Sequence, residues 1–380
     1  MARRAGQRST RYRQRRAGRK RRRTHHHVVL DTAAPGRSSY PEPMRLHVTY
    51  TGGTIGMVGS SHGLTPGADL EGWLAGLLRG TGLDDDLTVS RLDPLIDSSD
   101  ATPSSWQQVI DDLRAHATGP EGADGLVVLH GTDTMAYTCA ALSYALTDLG
   151  RPVVVTGSQL PLAVIGSDAG ANVMGALQAA AHPRASAGTS LFFGHRLLLG
   201  SRATKTSSWA FEGFTSPGCA PLALVGAPWQ WAACVPPGIG WPRPLPYRCH
   251  DVAVVDLVPG MRAARLESML TPLPEAVILR AFGVGNVPSR DPGLVDLLAA
   301  AVEAGTAVVV TSQCPDARVR LGHYETGDAL ARAGAVACGD MTLEATYAKV
   351  QFLLSQGLRG AELASWVGRS IAGEVTESPR

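Results

Sequence analysis

The stretch LVVLHGTDTMAYTCAALSYAL, residues 126–146, restricts the fold more than any other. A continuous apolar run with no polar alternation is buried on both faces, as in a covered parallel strand. It stops at a histidine and a glycine, exposes Thr132, Asp133 and Thr134, and runs on into small and apolar residues that suit a helix packed on a sheet. The same unit recurs. Apolar runs at 46–50, 152–157 and 190–194 are followed by turns rich in Gly, Ser and Thr, and a second helix-like stretch covers 168–181. Strands alternating with helices predict a parallel sheet layered by helices.

Residues 235–248, VPPGIGWPRPLPYR, hold five prolines, so the segment suits neither a helix interior nor a central strand. Beyond it the α/β rhythm resumes at 252–258, 276–282 and 307–314, with helices expected over 341–356 and near 360–373. The expected organisation is two α/β domains with mainly parallel sheets: residues 44–234, a proline-rich linker at 235–249, and a smaller domain over 250–380. No run approaches the roughly 18 apolar residues of a membrane-spanning helix.

The formal net charge of +2 conceals an uneven distribution. Residues 1–43 carry 13 Arg and Lys against Asp31 and Glu42, which leaves 22 basic and 31 acidic side chains in 44–380, net −9. A run of like charges does not fold alone, so the tail reads as a basic, disordered extension. The other reading is weak attachment to nucleic acid through arginine–phosphate contacts. His25, His26 and His27 belong to the same tail and have no companion ligands at metal spacing. Six scattered cysteines form no CxxC, and no export signal accompanies them, which predicts reduced thiols in the cytoplasm.

Open parallel sheets bind ligands beyond the carboxyl ends of their strands. Three strands end alike there, in TGGT (51–54), HGTDT (130–134) and TGSQ (156–159). No GxGxxG follows a strand and no Walker lysine is present, which argues against a nucleotide loop. TGSQ lacks the GxSxG spacing of a serine hydrolase. His130 reads either as a base or as a packed core histidine. What remains is threonine chemistry, and a threonine nucleophile needs a base. Lysine occurs only at 20, 205 and 349 in a chain that otherwise uses arginine. Lys20 lies in the tail and Lys349 in a late helix, so Lys205 is the candidate, the other reading being a solvated surface lysine. Thr132 and Asp133 are open to a second reading as well, as caps of the helix that follows them.

These residues also carry a family resemblance. YTGGTIGM (50–57), DSSD (97–100), LHGTDTMAYT (129–138), VTGSQLPL (155–162), SRATK (201–205), ILRAFGVGN (278–286) and DMTLEAT (340–346) resemble type I, cytoplasmic bacterial L-asparaginase from Met44 to about Gly373. The resemblance implies hydrolysis of L-asparagine to L-aspartate and ammonia, with no metal and no cofactor. It makes Thr54 the nucleophile on a mobile loop, and Thr132, Asp133 and Lys205 the second catalytic cluster. Asp97, Ser98 and Ser99 would grip the substrate's α-amino and α-carboxylate groups, Asp133 would meet the α-amino group, and the backbone at Ser158 would orient the carboxamide. Asn286 would come from a neighbouring subunit, which implies a homodimer or a dimer of dimers. Thr204, Arg280 and Cys314 match a second, regulatory asparagine site. One departure stands out: Leu64 occupies the position where the family commonly carries a tyrosine beside the nucleophile. Two other functions on the same scaffold remain: an ammonia-supplying subunit of a tRNA-dependent amidotransferase, and an asparagine sensor without turnover.

Overall fold

The computed structural model describes residues 44–60, 63–83, 86–236, 238–288, 292–322 and 325–377. The basic tail, with His25–His27, lies outside them, as does the side chain of Leu64.

The strands are β1 Leu46–Tyr50, β2 Met57–Ser60, β3 Gly63–Pro66, β4 Leu87–Arg91, β5 Gly125–Leu129, β6 Pro152–Thr156, β7 Gly188–Phe193, β8 Arg196–Leu199, β9 Thr204–Lys205, β10 Phe214–Thr215, β11 Ala223–Leu224, β12 Gln230–Trp231, β13 Val252–Asp256, β14 Ala276–Ala281, β15 Ala307–Ser312 and β16 Val336–Ala337. The helices are α1 Leu70–Leu78, α2 Pro103–Ala117, α3 Met135–Ala145, α4 Ala169–Ala181, α5 Ala263–Met269, α6 Pro292–Glu303, α7 Glu325–Arg332, α8 Leu343–Ser355 and α9 Gly360–Val367.

An eight-stranded sheet has the order β12-β11-β8-β7-β6-β5-β1-β4, and a four-stranded sheet the order β13-β14-β15-β16. The second is parallel throughout, and the first is parallel from β4 to β7 with β8, β11 and β12 added antiparallel at one edge. The chain is therefore a two-domain α/β protein with mainly parallel sheets. Leu126, Val127, Val128 and Leu129 of β5 are fully buried, as an uninterrupted apolar run at the centre of a covered sheet requires.

α1 and α4 bury their apolar sides on one face of the large sheet, α2 and α3 on the other. Connections between parallel strands are right-handed in about 98% of cases. With that hand for the crossovers through α1, α2 and α3, the position of α4 on the opposite face makes β6–α4–β7 left-handed. Its loop, 157–168, carries Ser158 and Gln159 and is tied down by Asp168. The Asp168 carboxylate accepts from the backbone N–H groups of Gln159 (3.0 Å) and Leu160 (3.1 Å) and from the Asn172 side chain (3.0 Å).

β1 breaks the apolar rule at His47 and Thr49, both fully buried. Their reason is Asp112 on α2, which accepts from Thr49 Oγ1 at 2.6 Å and Ser90 Oγ at 2.7 Å, with His47 Nε2 at 3.5 Å. Burial raises the Asp112 carboxyl, but the hydrogen bonds from His47, Thr49 and Ser90 outweigh it and hold the group at about 2. This knot fixes β1 against β4 and α2, the elements whose ends carry Thr54, Asp97 and Ser98.

Residues 235–249 form no helix or strand among those described, yet they are packed. Trp241 sits edge-on to Phe352 and against Trp366, and the Tyr247 hydroxyl donates to Ala141 O at 3.2 Å. The domains meet along α3 and α8, where the Tyr144 hydroxyl donates to Ala345 O at 3.0 Å. No described helix is long and apolar enough to cross a membrane.

Candidate active site

The two glycine motifs are explained by one contact. Gly53 follows β1 at φ +91°, and a Cβ there would stand 2.4 Å from Gly131 Cα after β5. A Cβ on Gly131 would in turn stand 2.4 Å from Ser98 Oγ. The loops beyond β1 and β5 therefore touch backbone to backbone, and the Ser98 side chain of the loop beyond β4 closes onto Gly131, approaches that only glycine allows. The contact sets Thr54, Thr132 and Ser98 around one cavity.

That cavity, of about 220 Å³, is lined by Thr54, Asp97, Ser98, Thr132, Asp133 and Lys205, with Met57, Gln159 and Ser208 completing the wall. Lys205 comes from the short β9–β10 ribbon. Its Nζ lies 2.9 Å from Thr132 Oγ1 and 2.8 Å from Asp133 Oδ1. Its side chain is 18% exposed against 63% for Asp133, so this is not a solvated surface lysine. Ser99 is exposed and does not line the cavity; its N–H (3.0 Å) and hydroxyl (2.9 Å) donate to Asp97 Oδ1 and lower the Asp97 carboxyl. Two carboxylates against one ammonium give the cavity a surplus negative charge, the complement of an α-ammonium group.

Ser158 is buried and stays outside the cavity, its hydroxyl donating to Leu160 O. Asn286 does not line it either; it follows β14 in the second domain, bridged to Phe282. His130 is fully committed: Nδ1 is 2.7 Å from Gly131 O, Nε2 is 3.0 Å from Thr138 Oγ1, and burial lowers its pKa. It is a core histidine that braces the HGTDT turn. The capping reading of Thr132 and Asp133 also fails, because α3 has no side-chain cap and Thr134 Oγ1 donates to Ser98 O at 2.6 Å instead.

Sequence reasoning missed Gln159, Met57 and Ser208. Gln159 Nε2 donates to Ala210 O at 3.0 Å and Ser207 O at 3.4 Å, holding the 207–210 loop over the cavity. Its place in the TGSQ rim was the available signal, but its residue type names no chemistry.

Thr204 and Lys205 are adjacent on a strand, so their side chains point to opposite sides. Thr204 lines a second cavity of about 150 Å³ with Arg280, Gln313, Cys314 and Glu344. There Thr204 Oγ1 donates to Glu344 Oε1 at 2.7 Å, and burial raises the Glu344 carboxyl. Arg280 Nη1 is paired with Asp256 at 2.8 Å, while its Nε is buried without a hydrogen-bond partner among the described residues.

Comparison with known proteins agrees with this architecture. A family model described as "Asparaginase, N-terminal" matches residues 45–234, and one described as "Glutaminase/Asparaginase C-terminal domain" matches 251–367. The chain is 40% identical over 335 residues to L-asparaginase 1 of Escherichia coli, covering 87% of this chain and 98% of that one. The crystal structure of L-asparaginase I from Vibrio cholerae superposes with a TM-score of 0.78 at 38% identity, over 88% of this chain and all of the other. The L-asparaginase from Thermococcus kodakarensis gives a TM-score of 0.74 at 30% identity, again over 88% and all of the respective chains. Fold and domain pairing thus define a two-domain α/β amidohydrolase type. The chain belongs to the asparaginase family.

Proposed function

We propose that this protein hydrolyses L-asparagine to L-aspartate and ammonia through a threonine nucleophile. The observation that carries the reading is the Thr132–Lys205–Asp133 chain of contacts, at 2.9 and 2.8 Å, in the cavity that Thr54 lines. Thr54 Oγ attacks the carboxamide carbon and the carbonyl electrons move to oxygen. The nearby amino end of α3 carries positive dipole that stabilises this oxyanion. Collapse breaks the C–N bond, the nitrogen leaves as ammonia with the proton that Thr54 gives up, and water hydrolyses the ester to restore Thr54.

Thr132 Oγ1 accepts from Lys205 and relays the proton between the reacting groups. Its oxygen takes the proton of Thr54 as its own passes to the departing nitrogen, and in the second step it takes a proton from the attacking water as its own returns to Thr54. Asp133 holds Lys205 and meets the substrate's α-ammonium together with Asp97. Ser98 and Ser99 shape the loop that grips the α-carboxylate. The backbone at Ser158 orients the carboxamide. Asn286 of a second copy completes the site, which makes the working unit a dimer or a dimer of dimers. The chain acts in the cytoplasm, in keeping with six free cysteines. The second cavity, with Thr204, Arg280 and Cys314, takes free asparagine as an effector through Arg280, whose Nε has no hydrogen-bond partner among the described residues.

The test is ammonia release by the purified full chain from L-asparagine and L-glutamine. Turnover of asparagine is expected. Asparagine binding without ammonia would overturn the enzyme reading in favour of a sensor, and stable co-purification with a partner subunit or tRNA would point to an amidotransferase. Within the same assay, Asn286→Ala lowers turnover although the residue lies outside its own chain's cavity; full activity in this variant removes the shared-site assignment. Velocity should be sigmoidal in asparagine and become hyperbolic in Arg280→Ala. A hyperbolic curve in the parent protein removes the effector role.

A further inference from the structure

A third cavity, of about 410 Å³, lies at the antiparallel edge of the large sheet and is nearly twice the size of the Thr54 cavity. That volume falls in the ordinary range of small-molecule sites, roughly 300–1,000 Å³. Its apolar wall comes from Val154, Leu197, Leu199 and Leu222 of the first domain and Ile371 of the C-terminal segment. Two buried polar atoms on its lining residues have no partner among the described residues, Trp231 Nε1 and Thr189 Oγ1, and Thr189 is 3% exposed. Thr189 pairs with Val153 and faces the α3 side of the sheet, whereas Trp231 packs on the same side as Val154, Leu197, Leu199 and Leu222. Buried polar atoms are normally satisfied, so the indole N–H on the leucine side points to a guest with an acceptor of its own.

The electrostatics select its charge. Residues 44–380 are net acidic, yet among the described residues the one charged side chain on this lining is Arg184. Its Nη2 makes only a long bond, 3.4 Å, to Ala232 O, the residue after Trp231. The guanidinium therefore lies at the end of the strand that carries Trp231, and guanidinium and indole N–H are both donors. Trp231 is fixed there between His182, with ring centroids 4.4 Å apart, and Trp229 at 5.8 Å. Burial, and then Arg184, lower the His182 pKa, so the imidazole beside the indole is neutral near pH 7 and does not take over the role of Arg184.

We propose that this cavity is a binding site for a medium-chain aliphatic carboxylate, its carboxylate on Arg184 and Trp231 Nε1 and its chain along the leucine wall. A fork of donors suits a carboxylate, and aliphatic walls suit an unbranched chain. The site is separate from both the Thr54 cavity and the Arg280 cavity, so it stands whatever those two bind.

The probe is octanoate, titrated calorimetrically into the full chain with octylamine as the charge-reversed control. Saturable octanoate binding is expected, weakened about fivefold or more by Trp231→Phe and about tenfold or more by Arg184→Ala, with no octylamine binding. Both variants keep the apolar wall, and their melting temperatures show whether they fold. The proposal is overturned if octanoate shows no saturable binding, if the folded variants bind it as tightly as the parent, or if octylamine binds equally well.

Discussion

Thr54→Ala is expected to abolish asparagine turnover, by at least about 10⁴-fold, because no acyl-enzyme forms without the hydroxyl. Lys205→Met should lower turnover by about 10²- to 10⁴-fold, the range of a lost general acid–base contribution. The two losses should not add, since both residues serve one reaction in one cavity. Neither variant should unfold. Asp133, deprived of Lys205, is 63% exposed and is taken up by water, and an ion pair with one partner so exposed is worth at most about 1 kcal/mol. Steady-state kinetics with a thermal melt on each variant checks this. Turnover in Thr54→Ala within tenfold of the parent would move the nucleophile elsewhere, Thr132 being the next hydroxyl in the cavity. A Lys205→Met enzyme of normal rate would leave Lys205 a loop anchor only.

The α/β rhythm was legible because buried strands must be written as apolar runs. The stretches at 46–50, 126–129 and 276–282 lie on β1, β5 and β14. The antiparallel edge was not legible, since β11 and β12 are two residues each and carry no periodicity. α2 was passed over because its inner side mixes Trp106, Val109 and Leu113 with Asp112, whose purpose appears only once His47, Thr49 and Ser90 are seen around it. Nor could chain order reveal the left-handed crossover. In the site, glycines marked the rims, and the physical cause was the approach of Gly53 to Gly131 across 78 residues of sequence. Gln159 stayed hidden because its role is a pair of bonds to backbone carbonyls on another loop.

The scarcity of lysine pointed to Lys205 and applied equally to Lys349, which the sequence offered only as a helix residue. Lys349 is 1% exposed and 2.6 Å from Glu374, which is fully buried. Its ammonium also donates to Val367 O at 2.9 Å and Arg369 O at 2.5 Å, so all three protons are placed. Glu374 in turn accepts from the backbone N–H groups of Ile371 at 2.9 Å and Ala372 at 2.7 Å. Burial lowers the lysine's pKa, and the carboxylate beside it opposes that.

This pair shapes the C-terminal segment into a strap. Ala372 O accepts from Ser201 Oγ at 2.8 Å, and Gly373 O from Arg202 Nε at 2.7 Å, three residues before Lys205. Lys349→Met should therefore cost about 3–5 kcal/mol, because it leaves Glu374 charged and dry. Lys349→Met with Glu374→Gln should recover part of that loss, since no unpaired charge remains and the amide still offers one acceptor to the strap. Denaturant unfolding of the single and double variants measures the difference. Turnover should fall with stability in the single variant, because the strap braces the segment that ends at Lys205. A single variant within about 1 kcal/mol of the parent would mean that Glu374 takes up a proton at little cost, and that Ser201 and Arg202 hold the strap without the ion pair.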